Sequence, residues 1–412
     1  MILRKLEQGE QGRTRKLWEE VFKEDTKSFL DYYYYIKTRD NQIYVIEDEG
    51  EICSMLQLNP YTLGVEGREF PSAYIIAVAT RESCRGRGYM GALLRTSLKD
   101  MYSQKMPFTF LMPAAEAIYA PYDFRYIYEQ PAGRLEPAGA NEGYQWSADD
   151  GGTRDADSEK GQDSPACGEG MTEDENTACT SVVSSDAGIW DAEEIADFFR
   201  TYFYAGQQVC TVRDTAYYQT MILEQQSQRG GIRLMRDHGV LKGTYAYADE
   251  DGLEIREPLY LDGYEEAFLQ SVKELVRVPG QSVKVYACPS ERAEKTRPLI
   301  MARIVCLPAL LSAMTVPEDT EMECSFAVID PIINKNSRIW KISSSCGERQ
   351  IHIRETEDSE GVLPIADLTE ILFGRISPEA ARKREGVILS EHLAEELQKI
   401  TKLTRSCLNE VV

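Results

Sequence analysis

Residues 74–94 constrain the fold more than any other stretch of this chain. Tyr74-Ile75-Ile76-Ala77-Val78-Ala79 is an apolar run of strand character. It gives way to a polar turn that ends in Arg85-Gly86-Arg87-Gly88, and Met90, Leu93, Leu94 and Leu98 then recur at helical spacing. A strand, a glycine-bearing turn and a helix N-terminus in that order form a natural anion site. The first helical N–H groups have no intrahelical partner, and the helix dipole favours negative charge there. Gly86 and Gly88 permit positive φ and close backbone approach. Arg85 and Arg87 add charge-assisted contacts. A basic strand-to-helix turn with a glycine cap is the plain alternative. The flanking strand and amphipathic helix favour a pyrophosphate cradle formed by Arg85, Gly86, Arg87, Gly88, Tyr89, Met90 and Gly91.

The pattern is not a P-loop, because no Lys-Ser/Thr follows the glycines. Nor is it the dinucleotide fingerprint, which places Gly-x-Gly-x-x-Gly directly after the strand. It resembles the Arg-x-x-Gly-x-Gly/Ala loop with which GNAT acetyltransferases grip the pyrophosphate of acetyl-CoA. Arg85 and Gly88 match that loop, whereas its last position holds Met90, with Gly91 beside it.

A chain of 412 residues is long for one core and implies several domains. Its formal net charge of -22 argues against a nucleic-acid surface and against binding to anionic membranes. Residues 141–188 carry twelve acidic and two basic residues, so they supply -10 of that charge. From Ser147 to Gly188 there is no Leu, Ile, Phe, Tyr or Trp. Such a stretch buries too little to offset its ordering entropy, and it reads as a disordered acidic insert. Met1 to Glu7 shows no signal-type apolar core, and no apolar run approaches spanning length. The ten cysteines form no Cys-x-x-Cys pair, and the chain has three histidines. Free thiols in the cytoplasm and the absence of a metal site are therefore expected.

Before the insert, strands at Gln42 to Ile46 and Glu51 to Asn59 precede the strand Tyr74 to Ala79, its helix, and a buried strand at Phe108 to Met112. After the insert, two helices, three strands, a helix and a strand span Asp191 to Ala287. They repeat the first domain's order without its Arg-Gly-Arg-Gly loop. A third region begins near Pro298, with helices expected at Leu299 to Ile304 and Leu307 to Met314, followed by strands and further helices.

Taken together, the chain resembles the Eis-like (enhanced intracellular survival) acetyltransferases. The resemblance is carried by Val78-Ala79-Thr80 leading to Arg85-Gly86-Arg87-Gly88, by Ile118-Tyr119 through Phe124-Arg125-Tyr126, by Pro298-Leu299-Ile300-Met301-Ala302-Arg303-Ile304, and by the apolar C-terminus. It implies an α/β (α+β) chain of two tandem GNAT domains followed by a sterol-carrier-protein-like domain. The expected boundaries are a catalytic domain at 1–140, the insert at 141–188, a degenerate second GNAT domain at 189–296, and the sterol-carrier-like domain at 297–412.

The resemblance also implies direct acetyl transfer from acetyl-CoA, as co-substrate, to the primary amine of an aminoglycoside, a polyamine or a lysine side chain. Backbone donors near Ala77 and Val78 would meet the oxyanion of the tetrahedral intermediate. Tyr126 matches the acid that protonates the departing thiolate, with Tyr119, Tyr122 and Tyr128 as neighbours competing for that role. Val412 matches the chain-terminal carboxylate that serves as base. The family further implies a homo-oligomer. Tyr32 to Tyr35 suit either the wall of an acceptor pocket or a helix buried on both faces. Glu116 and Asp123 suit either acceptor binding or solvated surface charge. A non-catalytic acyl-CoA sensor or lipid carrier on the same scaffold is the alternative function.

Overall fold

A computed structural model describes residues 1–139, 143–147, 181–250 and 252–410. The chain divides into two compact units. One comprises Met1–Gln130, Ile189–Gln228 and Arg297–Val412; the other comprises Pro131–Gly188 and Arg229–Thr296.

In the first unit, Ile2–Lys5, Gln42–Asp48, Glu51–Val65 and Arg68–Thr80 pair antiparallel in sequence order. The long apolar alternation of these strands buries both faces of the sheet. On one face lies the helix Tyr89–Ser103, whose Leu93, Leu94, Leu98 and Met101 are fully buried with Leu56, Leu58 and Ile75. On the other face Arg15–Val21 and Lys27–Tyr35 bury Leu17, Trp18 and Tyr33 against Ile43, Val45 and Met55. Phe108–Leu111 joins Arg68–Thr80 in parallel at Tyr74 and Phe110. Its other edge pairs antiparallel with the late strand Lys295–Ile304, from Met301 opposite Leu111 to Ile304 opposite Phe108.

That late strand corrects the expected helix at Leu299 to Ile304. The segment is buried throughout, so it carries no amphipathic signal to separate helix from strand. Strand alternation decides its placement: Ile300, Ala302 and Ile304 enter one apolar cluster and Met301 enters the other. Lys295–Ile304 thus joins the first sheet beside Phe108–Leu111. Beyond it, Met322–Ile329, Ile339–Ser344, His352–Glu355, Gly361–Pro364 and Ile388–Leu389 form a separate five-stranded sheet. Leu307–Ala313, Ile365–Leu372 and Glu391–Lys399 cover it and bury Phe326, Leu368 and Leu397.

The second unit repeats part of the first unit's topology. Gly231–Asp237, Val240–Ala248 and Glu254–Tyr260 form an antiparallel meander. The helix Glu265–Leu275 then crosses to Val283–Tyr286, which runs parallel to Glu254–Tyr260. The helices Ala192–Tyr202 and Thr215–Ser227, expected to open this repeat, fall in the first compact unit instead.

The expected disorder of 141–188 is narrower than composition implied. Gly143–Trp146 is a strand paired with Leu135–Gly139, and Trp146 stacks on Phe268 at 6.0 Å. Val182–Asp186 pairs along Gly231–Asp237. Two valines and an existing sheet edge are enough to order a short strand that composition alone disfavours. Residues 148–180 lie outside the described residues.

Candidate active site

The strand Arg68–Thr80 sets the geometry of the site. Ile76 faces Gln57 and Ala79 faces Met55, so Ala77 and Val78 together oppose the single residue Leu56. This is a β-bulge, and Ala77 takes the left-handed φ of 50°. Tyr74 and Phe110 give the one parallel register pair with the neighbouring strand, so the bulge lies beyond the point where the two strands are paired. A bulge there re-aims the backbone groups of Ala77 and Val78 out of the regular ladder. Those are the residues expected to offer oxyanion donors.

The strand ends at Thr80, and the single turn Glu82–Cys84 leads into the glycines. Gly86 has φ 75°, and Gly88, the residue that caps the helix Tyr89–Ser103, has φ 76°. Two left-handed residues this close together, ahead of a helix start, are a backbone geometry suited to anion binding. A Cβ built on either glycine meets no atom within 4 Å, so the space there is open. Arg85 donates to the Thr80 carbonyl at 3.3 Å, and Arg87 donates to the Ser83 carbonyl at 3.3 Å. Neither makes a salt bridge among the described residues, and the first helical turn carries no acidic residue. Both guanidiniums therefore lack an acidic side-chain partner among the described residues. Arg81 is used differently: it bridges Glu20 at 3.0 Å and Glu51 at 3.5 Å. A cleft of about 540 Å³ opens beside the loop, lined by Glu20, Val21, Arg81, Glu82, Ser83 and Arg85.

Met90, the departure from the expected loop, does not fill this cradle. Its side chain packs against the apolar cluster that holds Leu93 and Leu94. Tyr89 is buried in the same cluster. Gly91 is required for another reason. A Cβ there would come within 2.4 Å of the Tyr122 hydroxyl and 2.9 Å of the Arg95 guanidinium, so the missing side chain lets Tyr122 lie over the helix.

Tyr126 opens the strand Arg125–Gly139 and is half-buried against the same cluster as Val78 and Met90. Its hydroxyl has no hydrogen-bond partner among the described residues. Burial, with a smaller contribution from the exposed Glu116 carboxylate, pushes its pKa up, so the phenol keeps its proton at neutral pH. The three competing tyrosines are engaged elsewhere. Tyr119 is buried, and that burial raises its pKa to about 12. Tyr122 stacks under the Arg95 guanidinium at 5.4 Å. Tyr128 donates to Asn409 Oδ1 at 2.7 Å.

That last bond belongs to an anchored tail. Ser406 and Cys407 pair in parallel with Val209 and Cys210, and Leu408 is fully buried. Asn409 Oδ1 also accepts from Gln130 at 3.1 Å. Glu410 is buried and accepts from Thr211, from the Tyr217 hydroxyl at 3.1 Å and from Arg213 at 3.5 Å. Tyr126, Tyr128 and Gln130 share one face of their strand by its two-residue period. The tail is thus tied to the strand that carries the candidate acid. Val412 itself lies outside the described residues.

The tyrosine run resolves as packing. Tyr33 is fully buried and donates to Asn59 at 2.8 Å, Tyr32 is buried and donates to the buried Glu224 at 3.0 Å, and Tyr35 faces solvent. Asp123 is not solvated surface charge, because the fully buried Arg303 approaches it at 3.5 Å. Arg213, Glu410 and Arg303 were not singled out from sequence. Nothing in their local context marks a charged residue as buried.

The second unit has the same topology without the cradle. Glu257 there has φ 50°, a bulge at the matching place in its meander. However, the connection Leu261 to Tyr264 is short, and Glu265 and Glu266 fill the first turn of the following helix. The Glu265 carboxylate accepts from Trp146 at 2.8 Å and is held bidentately by Arg292 at 2.8 and 2.7 Å. Two acidic side chains thus sit in the first turn of this helix, where their charge complements the helix dipole.

Residues 3–127 match the acetyltransferase (GNAT) domain, and residues 307–408 match the sterol carrier protein domain. No curated protein sequence matches the chain. Among solved structures, a conserved Enterococcus faecalis protein described as a probable N-acyltransferase is 17% identical with a TM-score of 0.75, covering 97% of both chains. A GCN5-related N-acetyltransferase from Anabaena variabilis is 14% identical with a TM-score of 0.72, covering 98% of both. Eis1 from Mycobacterium abscessus is 14% identical with a TM-score of 0.65, covering 99% of both. These neighbours share the fold.

Proposed function

From a chain that carries a GNAT acetyltransferase domain and a sterol carrier protein domain, we propose an acetyl-CoA-dependent N-acetyltransferase acting on primary amines. The observation that carries this reading is the open, uncompensated cradle of Arg85, Gly86, Arg87 and Gly88, one turn from the bulge at Ala77 and Val78. The loop and its two arginines suit the pyrophosphate of acetyl-CoA. The bulge supplies re-aimed backbone groups for the oxyanion that forms as an amine attacks the thioester carbonyl. Tyr126, protonated and without a partner for its hydroxyl among the described residues, donates to the departing thiolate. The attacking ammonium must first lose a proton. The resemblance assigns that role to Val412, and the anchoring of Asn409 on Tyr128 and Gln130 of the Tyr126 strand supports it. Aminoglycoside-, polyamine- and lysine-like amines are the acceptor classes of this reading.

The test is release of free CoA thiol from acetyl-CoA in the presence of a panel of such amines. Turnover with at least one amine is expected. Tight CoA binding with no turnover on any amine would replace the enzyme by an acyl-CoA sensor. Tyr126→Phe should lower kcat by roughly 100-fold, the low end for general acid–base catalysis, with little change in acetyl-CoA affinity. Unchanged kcat would remove Tyr126 from the mechanism.

A further inference from the structure

The side chain that most violates ordinary burial preferences is Arg303. It is fully buried on the strand Lys295–Ile304. A buried cation is expensive unless its donors are all used. Here they are spread over two parts of the first unit. Nε donates to the Tyr122 carbonyl at 2.9 Å, and Nη1 donates to the Ile304 carbonyl at 2.8 Å. Nη2 reaches Asp330 Oδ1 at 2.5 Å and Asp123 Oδ2 at 3.5 Å.

Asp330 is itself fixed. Its Oδ1 accepts from the backbone of Ile332 at 2.9 Å and Ile333 at 2.8 Å, and its Oδ2 accepts from Asn336 at 2.9 Å. The side-chain amide of Asn336 also donates to the Val305 carbonyl at 2.8 Å. One end of the guanidinium is therefore clamped in the sterol-carrier-like module. The other end holds Tyr122 and Asp123, the turn between the helical segment Glu116–Tyr119 and the strand that begins at Arg125. Asp123 has φ 65°, a strained conformation for a non-glycine residue that persists where surrounding contacts over-determine it. Tyr126 follows three residues later.

We infer that Arg303, acting through the Tyr122 carbonyl and the Asp123 carboxylate, positions the Tyr126 hydroxyl for thiolate protonation. Asp123 and Arg303 are positioning residues, not acceptor-binding ones. The C-terminal module then contributes to acetyl transfer by setting the angle of the acid. This inference rests on Tyr126 being the acid.

The experiment is a double-mutant cycle on the full-length protein, with kcat and the acetyl-CoA KM measured separately. Asp123→Ala should lower kcat roughly 10- to 100-fold, the scale expected of a small misplacement of a reacting group, and leave KM within about two-fold. Asp123→Asn keeps an acceptor for Arg303 and a residue tolerant of the left-handed backbone, so it should recover most of the loss. In the Tyr126→Phe background, Asp123→Ala should cost less than about two-fold more, because its effect passes through the missing hydroxyl. Arg303→Lys keeps the charge and loses the fork, and should repeat the pattern if Asp123→Ala proves poorly folded by circular dichroism. An equal factor for Asp123→Ala in both backgrounds, or no rescue by Asn, would overturn the positioning role alone. Full turnover in Tyr126→Phe would instead overturn the acid reading on which it stands.

Discussion

Replacing Gly88 by alanine separates the cradle from the fold. Gly88 has φ 76° and ψ 13°, and an added Cβ meets nothing within 4 Å. In the free protein the substitution therefore costs only the left-handed conformation, about 1 kcal/mol. If the loop holds the pyrophosphate as proposed, the acetyl-CoA complex is affected differently, because an added methyl group and any shift of the left-handed backbone disturb the helix N–H groups that would hold the phosphate oxygens. Losing one hydrogen bond to a charged group costs roughly 1.5–3 kcal/mol, which corresponds to roughly a 10- to 150-fold rise in the dissociation constant. Gly67 provides the control. It has φ 75° in the turn between Glu51–Val65 and Arg68–Thr80, and a Cβ there also meets nothing within 4 Å. Gly67→Ala should cost the same stability and leave acetyl-CoA binding alone. The assay is CoA thiol release over a range of acetyl-CoA concentrations, alongside urea unfolding of both variants. If Gly88→Ala binds acetyl-CoA as tightly as Gly67→Ala does, the loop is not the pyrophosphate site.

Two further outcomes follow from buried charges. Glu410→Ala withdraws a carboxylate from Arg213, Thr211 and Tyr217, and should cost about 3–5 kcal/mol, the range for breaking a buried ion pair. Urea unfolding and faster proteolysis of the tail would report it, whereas wild-type resistance would show that the tail is held by Leu408 and the strand pairing alone. Lys402 donates to the Ile400 carbonyl at 3.0 Å, and burial lowers its pKa to about 8 from the ordinary 10.5. Between those values the unfolded chain holds a proton that the folded protein has released, so stability rises with pH across that window. The full displacement is worth roughly 3 kcal/mol. Lys402→Met should show a smaller gain than wild type in urea unfolding between pH 7.5 and 10, pH values chosen to span about the same window, and an identical gain would refute the assignment.

How far the chain could be read ahead of its structure depended on where each signal was stored. The elements of the first sheet were visible because their apolar residues alternate at strand spacing and Leu93, Leu94 and Leu98 repeat at helix spacing. The wrong reading at Leu299 to Ile304 arose where burial on every side erased periodicity, and only pairing with Phe108–Leu111 identified a strand. Composition misled at Val182–Asp186 because an available edge can order a segment with little apolar content of its own. Tyr126 was named through its motif position, and the proposal that prefers it draws on the burial of Tyr119 and on the partners that Tyr122 and Tyr128 take.

The sequence by itself determined the strand, glycine turn and helix start proposed as the anion cradle. Its requirements are local: a strand end, two glycines with positive φ, two arginines and a helix start lie within one short segment, and local geometry follows from local sequence. It also showed that the repeat lacks an Arg-Gly-Arg-Gly segment and opens its helix with Glu265 and Glu266. Tertiary structure alone decided what surrounds that cradle. Arg303 meets Asp123 across 180 positions, and Glu410 meets Arg213 across 197. Whether a charged side chain is solvated or buried against a distant partner depends on the packing of the whole unit, and no local pattern encodes it.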